Sequence, residues 1–255
     1  MPATPEATEQ LVNRIAFIRE THCEILLIVF TVPSSLTSHV RLDGKFWDFT
    51  PDLARGDTAY SNMALAAHTD NTYFVRSLLS LFAFSPSLVC IDTQTDPCGV
   101  QLFHLLEYNG GKGGASLLVD GFYVASILRD LYPDAYNLLS TISIPSHAAG
   151  ESGILYRTTH TPLEHDAAGN LRAVRWNNDD RSALRNVPYK DVPRLYEAMR
   201  TWNKLITSQD SEYWVQLSPG TVIGMHFFSS LPPLLADYGC MSNWELLTCP
   251  VRSDQ

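Results

Sequence analysis

The sequence predicts a mainly β domain with flanking helices (α+β), arranged as a β-sandwich or jelly roll. Two observations support this prediction. Short apolar or alternating stretches recur along the chain, separated by glycine, proline and other turn residues. Between them lie a few segments whose apolar residues repeat at helical spacing. At 255 residues the chain is long enough for one sizeable core, so a single domain over residues 1–255 is expected.

Four segments are predicted to be helical: 7–20, 121–131, 133–140 and 189–208. The first places Leu11, Ile15 and Ile18 at helical spacing. Asp120 can cap the second, because a carboxylate at this position accepts an orphan backbone N–H. The last carries apolar residues spaced for one buried face. These are Val192, Leu195, Tyr196, Met199, Trp202 and Leu205.

Five short stretches are predicted to be strands: 99–106, 115–119, 171–176, 213–217 and 221–225. The glycine-rich segment 110–114 follows the first, and we expect it to join the first two strands as a hairpin. His104 lies on the apolar face of the first strand and is expected to be a satisfied core residue rather than a metal ligand. His160 and His165 are expected in a loop.

Composition excludes several function classes. Hydrophobic residues make up 45% and charged residues 18%, which is typical of a globular protein. The net charge of −9 argues against binding to nucleic acid. The apolar runs 25–32 and 78–84 are too short to span a bilayer, so no membrane partner is expected.

Cysteine usage and the N-terminus indicate an intracellular protein. The five cysteines are irregularly spaced and none has CxxC spacing, which argues against a structural zinc site and a disulfide framework. The first residues lack the pattern of a secretory signal. A cytoplasmic location is therefore expected, with a mitochondrial location as the alternative if the true N-terminus is missing.

The motif His68-Thr69-Asp70 is the main chemical signal. An imidazole and a carboxylate two positions apart can reach one cation. Together they form two thirds of the two-histidine, one-carboxylate set that holds non-haem Fe(II) and leaves coordination positions open. In isolation the motif is weak, because a surface turn with Asp70 as a capping residue explains it equally well.

The context of the motif carries a family resemblance. The segments AAHTDNTYF, GGASLLVDGFY and VRWNNDDR, with WVQLSPGTVIG near the end, resemble the taurine-dioxygenase-like family of Fe(II)- and 2-oxoglutarate-dependent oxygenases. Within this family they are similar to the branch that hydroxylates trimethyllysine at carbon 3, a step of carnitine biosynthesis. The form GDTAY fits this branch better than the γ-butyrobetaine branch, which is the sibling alternative.

The resemblance implies a double-stranded β-helix, or jelly roll, that binds Fe(II) and 2-oxoglutarate and uses ascorbate as a reductant. His68 and Asp70 match two iron ligands of the family. Ser116 matches a Ser/Thr position whose hydroxyl can bond the 2-oxoglutarate carboxylate, although a strand-edge serine explains it equally well. Relatives also suggest a homodimer.

The resemblance implies a substrate site for the small molecule trimethyllysine. Its quaternary ammonium cannot donate hydrogen bonds and is recognised by aromatic faces. Trp47 and Tyr60 match two walls of the family's aromatic cage, although they would otherwise be interpreted as core aromatics. Asp57 matches a substrate-contacting position, and Asn177 or Asn178 a further polar contact.

Three segments depart from the family pattern: 23–45, 75–94 and 225–255. Their abrupt junctions lead to the hypothesis that they derive from retained intron sequence or a shifted reading frame. The last replaces the segment in which the family carries the distal iron-binding histidine and the arginine that pairs with 2-oxoglutarate. The resemblance also implies that the N-terminal domain, which usually precedes the catalytic region of this family, is not contained in residues 1–255. A noncatalytic remnant, or a jelly roll that binds a small ligand, is therefore the alternative to an active dioxygenase.

Overall fold

The computed structural model describes residues 1–15, 28–31, 47–49, 64–74, 100–108, 113–148, 156–226 and 246–248. The atypical segment 75–94 lies outside the described residues. Only residues 28–31 of segment 23–45 are described, and only 225–226 and 246–248 of segment 225–255. Among the described residues the chain is a mixed α/β protein with eleven strands and four helices. None of those helices is long and apolar enough to cross a membrane.

The four helices are α1 (Pro5–Ile15), α2 (Gly121–Leu131), α3 (Pro133–Thr141) and α4 (Val192–Ile206). The last three confirm the predicted segments within a few residues. Helix α2 begins at the expected cap, since the Tyr123 amide donates to Asp120 Oδ1 over 2.9 Å. On α4, Leu195 and Trp202 are fully buried as predicted, whereas Tyr196 is exposed.

The strands are β1 (Ile28–Thr31), β2 (Trp47–Phe49), β3 (Val100–Glu107), β4 (Ala115–Val119), β5 (Ile144–Ala148), β6 (Tyr156–His160), β7 (Leu163–His165), β8 (Leu171–Val174), β9 (Glu212–Gln216), β10 (Val222–His226) and β11 (Leu246–Thr248). One described sheet has the order β10-β3-β1-β2, and a second has the order β11-β4-β9. Strands β5 and β6 pair with each other, as do β7 and β8. These pairs do not trace a closed jelly roll, which stays a prediction.

The predicted hairpin of β3 and β4 is wrong. Strand β3 pairs with β10 and β1, whereas β4 pairs with β9 and β11. The two strands instead face each other across an apolar cluster in which Phe103 and Leu105 of β3 lie with Leu118 of β4. The chain therefore changes sheets between β3 and β4. Within the glycine-rich connection, Gly114 has a φ of +83° and lies against the Tyr108 ring, so a side chain there would be strained.

A larger apolar core lies under the helices. It joins α2, α3 and α4 to β4, β7 and β8 through residues such as Leu128, Leu139, Leu195 and Trp202, all with 0% exposure. Full burial of one such side chain contributes about 1.5–3 kcal/mol, so this core dominates the packing of the described region.

The predictions for His160 and His165 are wrong, and the prediction for His104 is right only in part. His160 and His165 lie at the ends of strands β6 and β7 instead of in a loop. His104 is a core residue as predicted, fully buried, with Nδ1 2.6 Å from Thr8 Oγ1 of α1. The prediction that it is fully satisfied is wrong, because its Nε2 is buried and has no hydrogen-bond partner among the described residues.

Candidate metal centre

The candidate centre begins with the orientation of the His68 ring in the irregular segment 64–74. The ring nitrogen Nδ1 lies 2.7 Å from the carbonyl oxygen of Ala66. Because a carbonyl can only accept, Nδ1 carries the proton and donates it. This arrangement leaves Nε2 as the nitrogen that can bind a metal, which is how metal-binding histidines are usually held.

Asp70 lies directly against that nitrogen. His68 Nε2 and Asp70 Oδ1 are 3.2 Å apart, and the two side chains are 19% and 28% exposed, so the pair is open on one side. The second carboxylate oxygen of Asp70 accepts a hydrogen bond of 2.7 Å from Gln101 Nε2 on β3. The structure therefore brings the two predicted iron ligands together and fixes both.

His68 and Asp70 each shift the pKa of the other towards the charged form. Burial by itself lowers the pKa of His68, but the hydrogen bond and charge of Asp70 outweigh it and raise the pKa to about 9. Burial acts to raise the pKa of Asp70, and the hydrogen bond from His68 outweighs it, so that pKa is lowered. A metal ion that binds Nε2 takes the place of the proton that Nε2 carries in the charged form.

Asp180 supplies a further carboxylate near the pair. Its Oδ2 accepts a hydrogen bond of 2.6 Å from Thr72 Oγ1, two residues beyond Asp70. Burial, opposed by the Thr72 hydrogen bond and reinforced by the charge of Asp70, raises the pKa of Asp180 to about 6. The resulting concentration of negative charge favours a cation at this position.

Sequence reasoning missed both Gln101 and Asp180 as members of the centre. Asp180 belongs to the segment WNNDDR, which carries the family resemblance, so its position offered a signal. Gln101 offered none, because a glutamine in an apolar strand does not reveal which carboxylate it will contact.

The predicted aromatic cage falls largely outside the described residues. Asp57 and Tyr60 both lie outside them. Trp47 is described only through its backbone, as the first residue of β2, where it pairs in parallel with Ile28 of β1. The roles predicted for these three residues stay predictions.

The other predicted site residues have defined positions. Ser116 is buried on β4, 1% exposed, opposite Val215 of β9. Asn177 Oδ1 accepts a hydrogen bond from the Asp179 amide over 3.0 Å. Asn178 is exposed, and its Oδ1 accepts from Arg181 Nε over 3.0 Å. Both asparagines thus stabilise their own turn, directly after a residue that is bonded to the motif.

No third ligand accompanies the pair in the part of the chain that the structure describes, where no three His, Cys, Asp or Glu side chains could hold a metal ion. His226 is described through its backbone, as the last residue of β10, opposite Val100. Met225 is the residue opposite Gln101. His68 and Asp70 are of the donor types that occupy two of the three protein positions of a two-histidine, one-carboxylate Fe(II) site, and Nε2 is the ring nitrogen that the Nδ1 hydrogen bond leaves for a metal.

The relationship of the chain to known proteins follows from two comparisons. Residues 92–226, just over half of the chain, match the model of the taurine catabolism dioxygenase TauD, TfdA family. The chain belongs to this family. The matched residues include β3, with Gln101, and the WNNDDR segment, with Asp180.

In the second comparison, with individual curated proteins, several relatives carry one recurring name. A trimethyllysine dioxygenase of Neurospora crassa is 37% identical over 95% of this chain and 47% of its own length. One from Meyerozyma guilliermondii is 34% identical over 86% of this chain and 46% of its own. A mitochondrial trimethyllysine dioxygenase of Homo sapiens is 34% identical over 88% of this chain and 44% of its own length.

The chain spans less than half the length of these curated relatives. A gamma-butyrobetaine dioxygenase of Homo sapiens is more distant, at 27% identity over 71% of this chain. The relatives are thus of two kinds, trimethyllysine dioxygenases and a gamma-butyrobetaine dioxygenase. The trimethyllysine dioxygenases are the more similar to this chain.

Proposed function

We propose that this chain is the catalytic part of an Fe(II)- and 2-oxoglutarate-dependent dioxygenase that hydroxylates trimethyllysine at carbon 3. The observation that carries the proposal is the His68–Asp70 pair, with Nε2 aimed at the carboxylate by the Ala66 hydrogen bond. The family membership and the names of the relatives support the choice of reaction and substrate.

His68 Nε2 and Asp70 Oδ1 would hold the iron. Gln101 keeps the carboxylate in place, and the Ala66 carbonyl keeps the imidazole in the tautomer that binds metal. A bound Fe(II) would supply oxygen activation, which would couple the oxidative decarboxylation of 2-oxoglutarate to succinate and CO₂ with insertion of the second oxygen atom into a C–H bond of the substrate. The protein residues would bind and orient the reactants and exclude water.

The remaining site residues belong to the same proposal. Ser116 would bond a 2-oxoglutarate carboxylate from its buried position on β4. The cation of the substrate would contact aromatic faces and carboxylate or amide oxygens, for which a trimethylammonium group is suited. The proposed residues are Trp47, Tyr60, Asp57, Asn177 and Asn178.

The proposal also includes the wider organisation of the protein. The described strands would belong to one jelly-roll domain over residues 1–255, with ascorbate as reductant and a homodimer as the assembly. The mitochondrial names of animal relatives favour the mitochondrial alternative over the cytoplasmic location expected from the sequence.

A noncatalytic remnant is the second candidate, because one specific observation favours it. Neither a third ligand within the described residues nor a His-Gly-Arg segment in the sequence completes the site. Two ligands bind iron less tightly than three, and without the arginine the far carboxylate of 2-oxoglutarate lacks a bidentate partner.

The deciding experiment measures metal binding and turnover in one purified sample. Mn(II) binding, followed by electron paramagnetic resonance, tests the centre directly. Succinate formation with Fe(II), ascorbate and 2-oxoglutarate, with and without trimethyllysine, tests the reaction. We expect trimethyllysine to stimulate succinate formation. The Asp70→Ala variant should lose both Mn(II) binding and succinate formation, because the substitution removes a proposed ligand. Asp130→Ala is the matched control, since Asp130 is an exposed carboxylate on α2.

Each outcome separates the candidates. A folded protein that binds Mn(II) but forms no succinate supports the remnant. Stimulation by γ-butyrobetaine in place of trimethyllysine supports the sibling reaction. Turnover that survives Asp70→Ala removes Asp70 from the metal centre and contradicts the proposal.

A further inference from the structure

Arg175 is a buried cation that the proposed chemistry does not use. It directly follows β8 and is 6% exposed. Burying a guanidinium is costly unless it is paired and hydrogen-bonded, so its partners indicate what it does. One of them is Glu164 on β7, whose Oε1 accepts from Nη1 over 2.9 Å.

Two further partners of the Arg175 guanidinium lie in the segment that carries the metal-binding pair. Its Nη2 donates to the carbonyl oxygen of Thr72 over 2.7 Å and to that of Phe74 over 2.5 Å. Glu164 balances the charge, while the guanidinium provides directional bonds to two carbonyls just beyond Asp70. A planar fork can bond in several directions at once, which the single ammonium of lysine does poorly.

Trp176, the next residue, holds the same segment at a second point. The Thr69 amide donates to the Trp176 carbonyl over 2.7 Å, and the Trp176 amide donates to Thr69 Oγ1 over 2.8 Å. Thr69 lies between His68 and Asp70. The segment is therefore fixed between its two ligands by Trp176 and beyond them by Arg175.

The segment needs such support because its own backbone is irregular. It belongs to no helix or strand. Asn71 has a φ of +58°, in the left-handed region, which asparagine tolerates better than most other non-glycine residues. Contacts from other elements therefore hold the segment, in place of a regular hydrogen-bond ladder.

We propose that Arg175 is a positioning residue that holds segment 67–74 in the conformation in which His68 and Asp70 bind one metal ion. The inference rests on the proposed function for the identity of that metal ion. It adds a residue that contacts neither metal nor substrate and acts through the two carbonyls.

Hydrogen exchange of the metal-free full chain tests the inference first. In Arg175→Lys the positive charge remains but the fork is lost, so we expect the amides of 67–74 to exchange about tenfold faster while those of α2 and α4 keep their rates. The Mn(II) dissociation constant should rise about tenfold, as is usual when a group that orients a ligand is removed. Arg194→Lys, an exposed arginine on α4, is the control and should change neither quantity.

The alternatives have distinct outcomes. Unchanged exchange in 67–74, an increase spread evenly over the chain, or faster local exchange with unchanged Mn(II) affinity would each overturn the inference. If Arg175→Lys does not fold, the same two measurements are made on Glu164→Gln, with the same expected results. This substitution removes the countercharge that keeps the guanidinium in place. If the unmodified chain binds no Mn(II), the proposed function fails, and the exchange comparison still decides whether Arg175 fixes the segment.

Discussion

The His68–Asp70 pair owes its geometry to residues outside the motif. Ala66 sets the imidazole tautomer, and Gln101 holds the far oxygen of Asp70. Without these bonds the two side chains would sample other rotamers. Both side chains would then have to be ordered when a metal binds, which costs conformational entropy. The orienting bonds are therefore expected to contribute to metal affinity although neither group contacts the metal.

Replacing Gln101 tests this expectation. Gln101→Leu keeps the approximate size of a side chain that is 2% exposed but removes the donor to Asp70. We expect the Mn(II) dissociation constant to rise about tenfold. Equilibrium dialysis with Mn(II) measures it, and a thermal melt shows whether folding is kept. Gln216→Leu, an exposed glutamine on β9, is the control. Equal affinities in the two variants would contradict the role of Gln101.

The proximity of His68 and Asp70 was predictable from the sequence, whereas the residues that hold them were not. His68 and Asp70 are two positions apart, so local spacing alone brings them together. Gln101 is 31 positions from Asp70, and Arg175 is 103 positions from Thr72, so only the tertiary fold brings each of them to its partner. A polar residue that is buried is expected to have a hydrogen-bond partner, but the sequence does not identify that partner.

At the scale of elements, helices were predicted better than strand partners. The apolar spacing of α4 and the cap of α2 are local signals, and both appear in the structure. The β3–β4 hairpin was wrong because a glycine-rich connection suits a hairpin and a crossing between sheets equally. Residues 101–105 of β3 and 116–119 of β4 are all buried, so each strand requires neighbours on its sheet and a packed face as well.

The cap of α2 allows a prediction at this scale. Asp120→Ala removes the acceptor for the Tyr123 amide, and we expect the free energy of unfolding to fall by about 1 kcal/mol. Urea denaturation measures it. Asp120→Asn keeps a side-chain oxygen at the cap and should remain close to the unmodified protein. A loss as large in the asparagine variant as in the alanine variant would show that the charge of Asp120 matters more than the cap.

At the scale of the whole molecule, the candidate centre is supported from both apolar clusters. Trp176, whose backbone binds Thr69, belongs to the core under the helices and packs edge-on against Trp202 at 6.4 Å between ring centroids. Gln101 comes from β3, whose Phe103 belongs to the cluster between the sheets. Segment 67–74 is therefore held between two packed regions, and its geometry depends on both being folded.

The pH dependence of overall stability follows from His160, which is 8% exposed on β6. Burial, reinforced by the charge of Arg175, lowers the pKa of His160 to about 3. Its unfolded value is about 6.5, so below pH 6.5 the unfolded chain binds a proton that the folded chain does not. Stability that is present above pH 6.5 is therefore lost as the pH falls towards 3.

We expect protonation of His160 in the unfolded chain to lower the free energy of unfolding by about 2 kcal/mol between pH 7.5 and pH 5. Urea denaturation at the two pH values measures the loss, and His160→Gln should reduce it by that amount because glutamine does not titrate. Any cost of the substitution itself is present at both pH values and cancels, as do the other titrating groups. An equal loss in both proteins would mean that His160 becomes protonated in the folded state above pH 5, because its hydrogen bonds with Ser146 and the Arg175 backbone outweigh the effect of burial.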